Sequence, residues 1–129
     1  MNKRIIISAA VFGALAVVLG AFGAHALKGV LTSYGAEIWN KAVQYQFYHT
    51  LALLFLSTFA RYKNNLINFS SYCFTLGIVL FSGSLYLLAL RDFLNINSFA
   101  GILGPITPIG GLLFILGWGA LLFAAIRDK

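Results

Sequence analysis

The side chains of this sequence that could do chemistry gather in one short stretch, residues 44–50. Gln46, His49 and Thr50 are polar, and Tyr45 stands among them. On a helix, Tyr45 and Gln46 lie one turn before His49, so the imidazole has neighbours on its own helix. An ionisable side chain within an otherwise apolar helix is a candidate for function, so this stretch is the first place to look for a site.

Further candidates lie outside this stretch. His25 precedes the next charged residue by only three positions and follows a long apolar run. Because His25 lies near the end of its apolar segment and His49 near the beginning of the next one, both are expected toward the outer side of the membrane, and the two histidines could share one neighbourhood. The candidate polar cluster is His25, Tyr45, Gln46 and His49. Secondary candidates are the hydroxyl-bearing residues Ser82, Ser84 and Thr107.

These residue types allow more than one chemistry. We prefer a neutral histidine that hydrogen bonds to a carbonyl or a glutamine of another helix, which is a structural link. Proton handling is an alternative, because the imidazole pKa lies near neutrality, and binding of a lipid, a quinone or a haem is another. A bis-histidine haem needs both rings at one depth, whereas His25 lies three residues from its flanking charge and His49 eight. We therefore predict no cofactor and no catalytic residue.

Missing residues exclude several other classes. Cys73 is the only cysteine, so a dithiol oxidoreductase is not expected. Two histidines are too few for an ordinary zinc site, so no metal is predicted. Glu37, Asp92 and Asp128 are the only acids and lie near the ends of apolar segments, which weighs against a proton-coupled exporter. A small transporter or channel remains a third alternative, although only one half of the bundle offers a polar path.

The composition identifies the solvent in which these residues work. Of 129 residues, 60% are hydrophobic and 9% charged, against about 45–50% apolar and about 25% charged in soluble domains. So few charges could not cover a water-exposed surface. We predict a single integral membrane domain, residues 1–129, with the lipid bilayer as its partner. The formal charge of +6 comes from residues spaced along the chain, so no nucleic-acid partner is predicted.

Charged residues divide the chain so that four long uncharged intervals remain. Each can hold one helix of about 20 residues, the length that crosses a hydrocarbon core. The predicted fold is an all-α integral membrane protein whose four transmembrane helices form a compact antiparallel bundle. The predicted spans are residues 5–26, 42–60, 70–90 and 107–126.

Two connecting segments carry signals of their own. Between spans 1 and 2, apolar residues at helical spacing predict a short interfacial helix within residues 28–41, capped by Ser33 and with Glu37 in its first turn. Before span 4, residues 93–106 contain asparagines, glycines and a proline, which predicts a connecting or re-entrant segment. Pro108 is then expected in the first turn of span 4.

Basic residues predict the orientation. Six of the nine lie on the side of the chain termini, so both termini are expected to face the cytoplasm. The alternative is a cleaved signal peptide ending near Ala24-His25-Ala26, but the apolar run of about 20 residues exceeds the usual 7–15.

Small residues predict how the helices meet. Ala9, Gly13, Ala16, Gly20 and Gly23 share one face of the first helix, and such faces let helix backbones approach closely in lipid. The face could meet its own chain or a neighbour. We therefore prefer a structural or interaction protein, either a homo-oligomer or an accessory subunit of a larger membrane complex.

Four longer motifs together resemble one known family. GAFGAHAL at 20–27, YQFYHTLALL at 45–54, FSGSLYLLAL at 81–90 and GPITPIGG at 104–111 resemble the bacterial membrane proteins grouped as domain of unknown function 423. This family includes YgdD-like and YwdK-like proteins and is similar to the animal transmembrane protein 256. The resemblance implies a multi-spanning protein of the bacterial inner membrane without established activity. Its signature covers His25, Gln46, His49, Ser82, Gly83, Ser84, Thr107 and Pro108.

Overall fold

The computed structural model describes residues 2–61 and 64–128, and within them every regular element is helical. Two of the basic residues used to predict the orientation, Lys63 and Lys129, lie outside the described residues. The elements are α1 (Lys3–Ala24), α2 (Ser33–Ser57), a 3₁₀ turn (Thr58–Arg61), α3 (Asn65–Gly77), a π-helical segment (Ile78–Ser82), α4 (Gly83–Ala89), a 3₁₀ turn (Asn97–Phe99) and α5 (Ala100–Arg127). Residues 65–89 run without interruption, and we call them the α3–α4 rod.

The helices run alternately up and down. At one end the backbone N–H of Asn2 donates to the carbonyl of Ser57, and Asn64 and Asp128 line one small cleft. At the other end Gly35 lies against the carbonyl of Ala89. The starts of α1 and α3 and the ends of α2 and α5 therefore share one end of the bundle. Helix α2 packs between α1 and the α3–α4 rod, and α5 packs along that rod, where its side chains also reach α2.

Three helical segments are long and apolar enough to cross a membrane: Lys3–Ala24, Asn65–Ala89 and Asn97–Arg127. Helix α2 has 25 residues but is more polar. Its polar residues Gln46, His49 and Thr50 are buried against other helices. The polar residues that make α2 less apolar than the other long helices therefore face the interior of the bundle. The all-helical prediction is confirmed, with α2 at the centre.

The faces of small residues meet their own chain. A Cβ on Gly13 or Gly20 would lie 3.5 Å from Thr50 or Val43 of α2, respectively. Gly110 and Gly117 of α5 likewise face the α3–α4 rod. These faces therefore contact helices of the same chain instead of a neighbouring molecule, and they no longer support an oligomer.

The predicted interfacial helix is not separate. Helix α2 runs unbroken from Ser33, because its amphipathic start continues in phase with its buried face. The N-cap is Thr32, whose hydroxyl accepts the N–H of Gly35 at 2.9 Å, so the cap predicted at Ser33 is wrong by one residue. Glu37 lies in the second turn of α2.

The Pro/Gly-rich segment is helical for half its length. Residues 90–99 connect the rod to α5, but α5 begins at Ala100 and contains Pro105 and Pro108 within it. Each proline lacks the N–H that would reach back to a carbonyl four residues earlier. Packing against α4 retains the helix there, since Thr107 and Ser84 share a hydrogen bond of 2.6 Å. Pro108 is therefore beyond the first turn.

Candidate functional site

Gln46 connects three helices at the centre of the bundle. Its side-chain Nε2 donates to the carbonyl of Phe12 in α1 at 2.8 Å. Its Oε1 accepts the hydroxyl of Tyr86 in α4 at 2.7 Å. The side chain is only 3% exposed, so both bonds lie away from water. Gln46 therefore holds α1 and α4 on opposite sides of α2.

Both ring nitrogens of His49 have partners. Nδ1–H donates to the carbonyl of Tyr45 at 2.7 Å, because a carbonyl can only accept. Nε2 accepts the indole N–H of Trp118 at 3.2 Å, so it carries no proton. The ring also lies parallel to Phe114, with centroids 3.5 Å apart and an interplanar angle of 6°. This is the geometry of a neutral histidine that links α2 to α5, and a second proton would displace Trp118.

Other polar side chains form further links between helices. Trp39 Nε1 donates to the carbonyl of Leu19 at 2.9 Å, and the Ser82 hydroxyl donates to the carbonyl of Ala42 at 2.7 Å. Ser70 of α3 donates to the carbonyl of Gly117 at 2.8 Å. Across residues 2–61 and 64–128, no fully buried side-chain nitrogen or oxygen is without a partner.

The π-helical segment Ile78–Ser82 positions two of these side chains. A π-bulge inserts one extra residue into a turn, and such bulges are frequent at functional sites. Phe81 lies directly over Gly110, and Ser82 turns toward α2. The bulge therefore aims an aromatic ring toward α5 and a hydroxyl toward α2 from adjacent positions.

An open groove lies beside His49, and we call it the aromatic groove. Its volume is about 620 Å³. The residues that form it include Tyr45, His49, Phe81, Gly111, Phe114 and Trp118. Gly111, which has no side chain, leaves room between the aromatic rings. The Tyr45 ring lies 4.8 Å from Phe81 between centroids, and the Tyr45 hydroxyl forms no hydrogen bond within the part of the chain that the structure describes.

His25 is not part of this site. It is the C-cap of α1 and is exposed. Trp39 packs against Gly23 near that end of α1, and His49 lies ten residues further along α2, about 15 Å at 1.5 Å per residue. The shared histidine neighbourhood is therefore not formed, because α1 passes the depth of His49 near Phe12 and Gly13 and carries His25 well beyond it, at the end of the helix. The groove lies between α2, the α3–α4 rod and α5 instead of between α1 and α2.

The structure brings Tyr45, Gln46 and His49 together, and it pairs Ser84 with Thr107. Sequence reasoning missed Trp118, Tyr86 and Phe114. For Trp118 and Tyr86 the signal was present in the sequence, since aromatic residues with a polar atom seek a partner when buried in apolar surroundings. Phe114 has no polar atom, and its stacking on His49 depends on how the helices pack. Within the described residues, no three His, Cys, Asp or Glu side chains come close enough to hold a metal.

Comparison with known proteins gives consistent matches. A family model described as "Protein of unknown function (DUF423)" matches residues 19–111. A UPF0382 membrane protein of Staphylococcus epidermidis is 44% identical over 125 residues, which cover 97% of each chain. The UPF0382 membrane protein YwdK of Bacillus subtilis is 39% identical over 127 residues, 97% of this chain and 98% of its own. No solved structure matches the chain.

Proposed function

We propose a function for this chain, which belongs to the DUF423 family of unknown function, from its own contacts: it is a non-enzymatic membrane protein that binds a lipid-soluble ring compound in the aromatic groove. The observation that carries the proposal is the groove itself, with aromatic walls and the Tyr45 hydroxyl, which has no hydrogen-bond partner among residues 2–61 and 64–128. A quinone is the class of compound that fits both features.

The proposal places four spans in the bacterial inner membrane with both termini cytoplasmic. The alternating helix directions support it, because they bring Asn2, Ser57, Asn64 and Asp128 to one end. Helix α2 packs between two apolar helical segments. If α2 lay outside the bilayer, these two segments would have to leave the bilayer with it. The excess of basic residues at the terminal end is the signal that retains a segment in the cytoplasm.

The polar interior supports binding over transport or catalysis. The buried polar atoms of the described residues are paired with one another, so water-filled passage would need these bonds to break. His49 uses both nitrogens within the chain. Assembly into a homo-oligomer or with a larger membrane complex stays a prediction. Contacts with other subunits would have to be made by the outward-facing surfaces of the helices.

The dimensions favour a ring compound over a partner helix. Along α5 the groove extends from Pro108 to Trp118, about 15 Å at 1.5 Å per residue. A partner helix that crosses the membrane would need a contact surface about 30 Å long. Aromatic side chains stack on flat rings, and the Tyr45 hydroxyl could donate to a carbonyl oxygen of the ring.

Fluorescence quenching in nanodiscs tests this proposal. The full-length protein is titrated with 2-methyl-1,4-naphthoquinone, whose quinone ring quenches nearby tryptophan emission. Saturable loss of about half of the emission is expected, since Trp118 lines the groove and Trp39, the other tryptophan, does not.

Two glycine variants separate binding from partitioning. Gly111→Leu fills the groove, because its side chain would enter the space beside Phe81. Gly119→Leu adds the same side chain where nothing lies within 4 Å of its Cβ. We expect saturable quenching to be lost only in Gly111→Leu. Tyr45→Phe should weaken binding about two- to tenfold, as for one hydrogen bond of about 0.5–1.5 kcal/mol. Equal, non-saturating quenching in the two glycine variants would contradict the proposal.

A further inference from the structure

A second cavity opens at the end of the bundle that holds both chain termini. It lies between α1 and α3, and α1 packs on α2 rather than on α3. Leu53 of α2 lies in its wall. We call it the interfacial cleft; its volume is about 520 Å³. It is separate from the aromatic groove, because the two cavities share no lining residue.

The interfacial cleft is rich in hydrogen-bond donors. Arg4 contributes a cation, Asn68 an amide, and Ser8, Tyr72 and Thr75 contribute hydroxyls. The lining includes no aspartate or glutamate. None of these five side chains hydrogen bonds or forms an ion pair within the described part of the chain. Unused donors without acidic neighbours suit a ligand with several acceptor oxygens and a negative charge.

The donors are arranged by depth. Arg4 lies one turn before Ser8 on α1, about 6 Å along the axis, and Asn68 lies about 10 Å before Thr75 on α3 at 1.5 Å per residue. Both helices begin at the same end, so the charged group and the amide lie at the mouth and two hydroxyls lie deeper. A phospholipid has the same order, with a phosphate at the surface and ester carbonyls a few ångströms below.

We propose that the interfacial cleft binds one anionic phospholipid. The phosphoryl oxygens accept from Arg4 and Asn68, and the ester carbonyl oxygens accept from Ser8 and Thr75. Basic pockets between transmembrane helices on the cytoplasmic side are suited to anionic headgroups. Phosphatidylglycerol leaves its phosphate charge for Arg4, whereas the phosphate of phosphatidylcholine already has a choline cation beside it.

Native mass spectrometry tests this assignment. The full-length protein is released from nanodiscs of equal phosphatidylglycerol and phosphatidylcholine content, and the lipids that stay bound are counted. The wild type should retain one phosphatidylglycerol. Arg4→Gln should lower its retention about tenfold or more, as expected for the loss of a charge-assisted hydrogen bond. Lys3→Gln is the matched control, because Lys3 is exposed on the same turn but does not line the cleft.

Three outcomes would overturn the proposal. The first is equal retention in Arg4→Gln and Lys3→Gln, and the second is retention of phosphatidylcholine as well as phosphatidylglycerol. The third is displacement of the lipid by millimolar inorganic phosphate, which would indicate a site for free phosphate. Because both substitutions are at exposed positions, matching circular dichroism spectra should show that each variant is folded. Ser8→Ala combined with Thr75→Ala should also reduce retention while leaving Arg4 in place.

Discussion

At Gly110 the backbone of α5 lies directly against the backbone of the α3–α4 rod, and Gly110→Ala tests whether that approach holds the bundle together. A Cβ at Gly110 would meet the backbone nitrogen of Phe81 and would lie 2.7 Å from its Cβ and 2.8 Å from its Cα. Backbone atoms cannot move aside by changing a rotamer. The neighbouring Gly111→Ala is the matched control, since its Cβ would lie 3.8 Å from the Phe81 ring.

The size of the effect follows from these distances. Ordinary contact begins near 3.4 Å, so the Cβ distance of 2.7 Å alone requires the two helices to separate by about 0.7 Å, and the nearer backbone nitrogen of Phe81 requires more. A gap of about 0.5–1 Å already removes a quarter to a half of a dispersion contact. The separation also loosens the packing of the Phe74 ring against Gly117 and of the Phe114 ring against Gly77. We expect Gly110→Ala to lower the free energy of unfolding by about 3 kcal/mol, at the upper end for overpacking.

Unfolding in mixed micelles measures the difference. Each full-length variant is titrated with sodium dodecyl sulfate in dodecyl maltoside, and tryptophan emission follows the loss of structure. Gly111→Ala should change the free energy of unfolding by at most about 1 kcal/mol, through helix propensity. Midpoints of Gly110→Ala and Gly111→Ala that agree within error would refute the close approach.

Two further predictions concern the centre of the bundle and its orientation. Gln46→Leu removes hydrogen bonds to two helices and should lower the free energy of unfolding by about 1–3 kcal/mol. One such bond in a membrane contributes about 0.6 kcal/mol on average and at most about 1.7 kcal/mol. Tyr86→Phe should lower the free energy of unfolding by less, and the variant with both substitutions should lose less than the sum of the two single losses. Gln44→Leu, at an exposed position of α2, is the control. Strictly additive losses would exclude coupling between Gln46 and Tyr86. A reporter fused after the C-terminus should be active in the cytoplasm, and a reporter inserted between α1 and α2 should be active outside the cell. The opposite result for both reporters would show that the orientation is reversed.

Several features could be predicted from the sequence because they depend on composition and local spacing. Apolar runs between charges predicted helical elements, and a helix in lipid must satisfy its own backbone bonds. The motifs around His49 and Gly110 predicted the family, which the comparisons confirm. The proximity of Tyr45, Gln46 and His49 followed from helical periodicity alone, because residues one turn apart share a face.

Other predictions failed where tertiary contacts outweigh local signals. Residues 100–106 are helical despite Pro105, because packing against the α3–α4 rod holds that turn in place. The start of α2 continues as one helix, because its apolar face stays in register with α1 and α4. His25 and His49 were placed together by their shared side of the membrane, but depth depends on where each helix ends.

The sequence by itself determined a helical membrane protein, the family to which it belongs and the polar stretch of α2, since hydropathy and spacing are properties of the chain alone. The tertiary structure decided which partner each polar atom has. Gln46 bonds to Phe12 and Tyr86, and His49 bonds to Trp118 across 69 residues of chain. No local pattern encodes such pairs, because they depend on the rotation and depth of each helix. The aromatic groove and the interfacial cleft likewise exist only where separate helices meet.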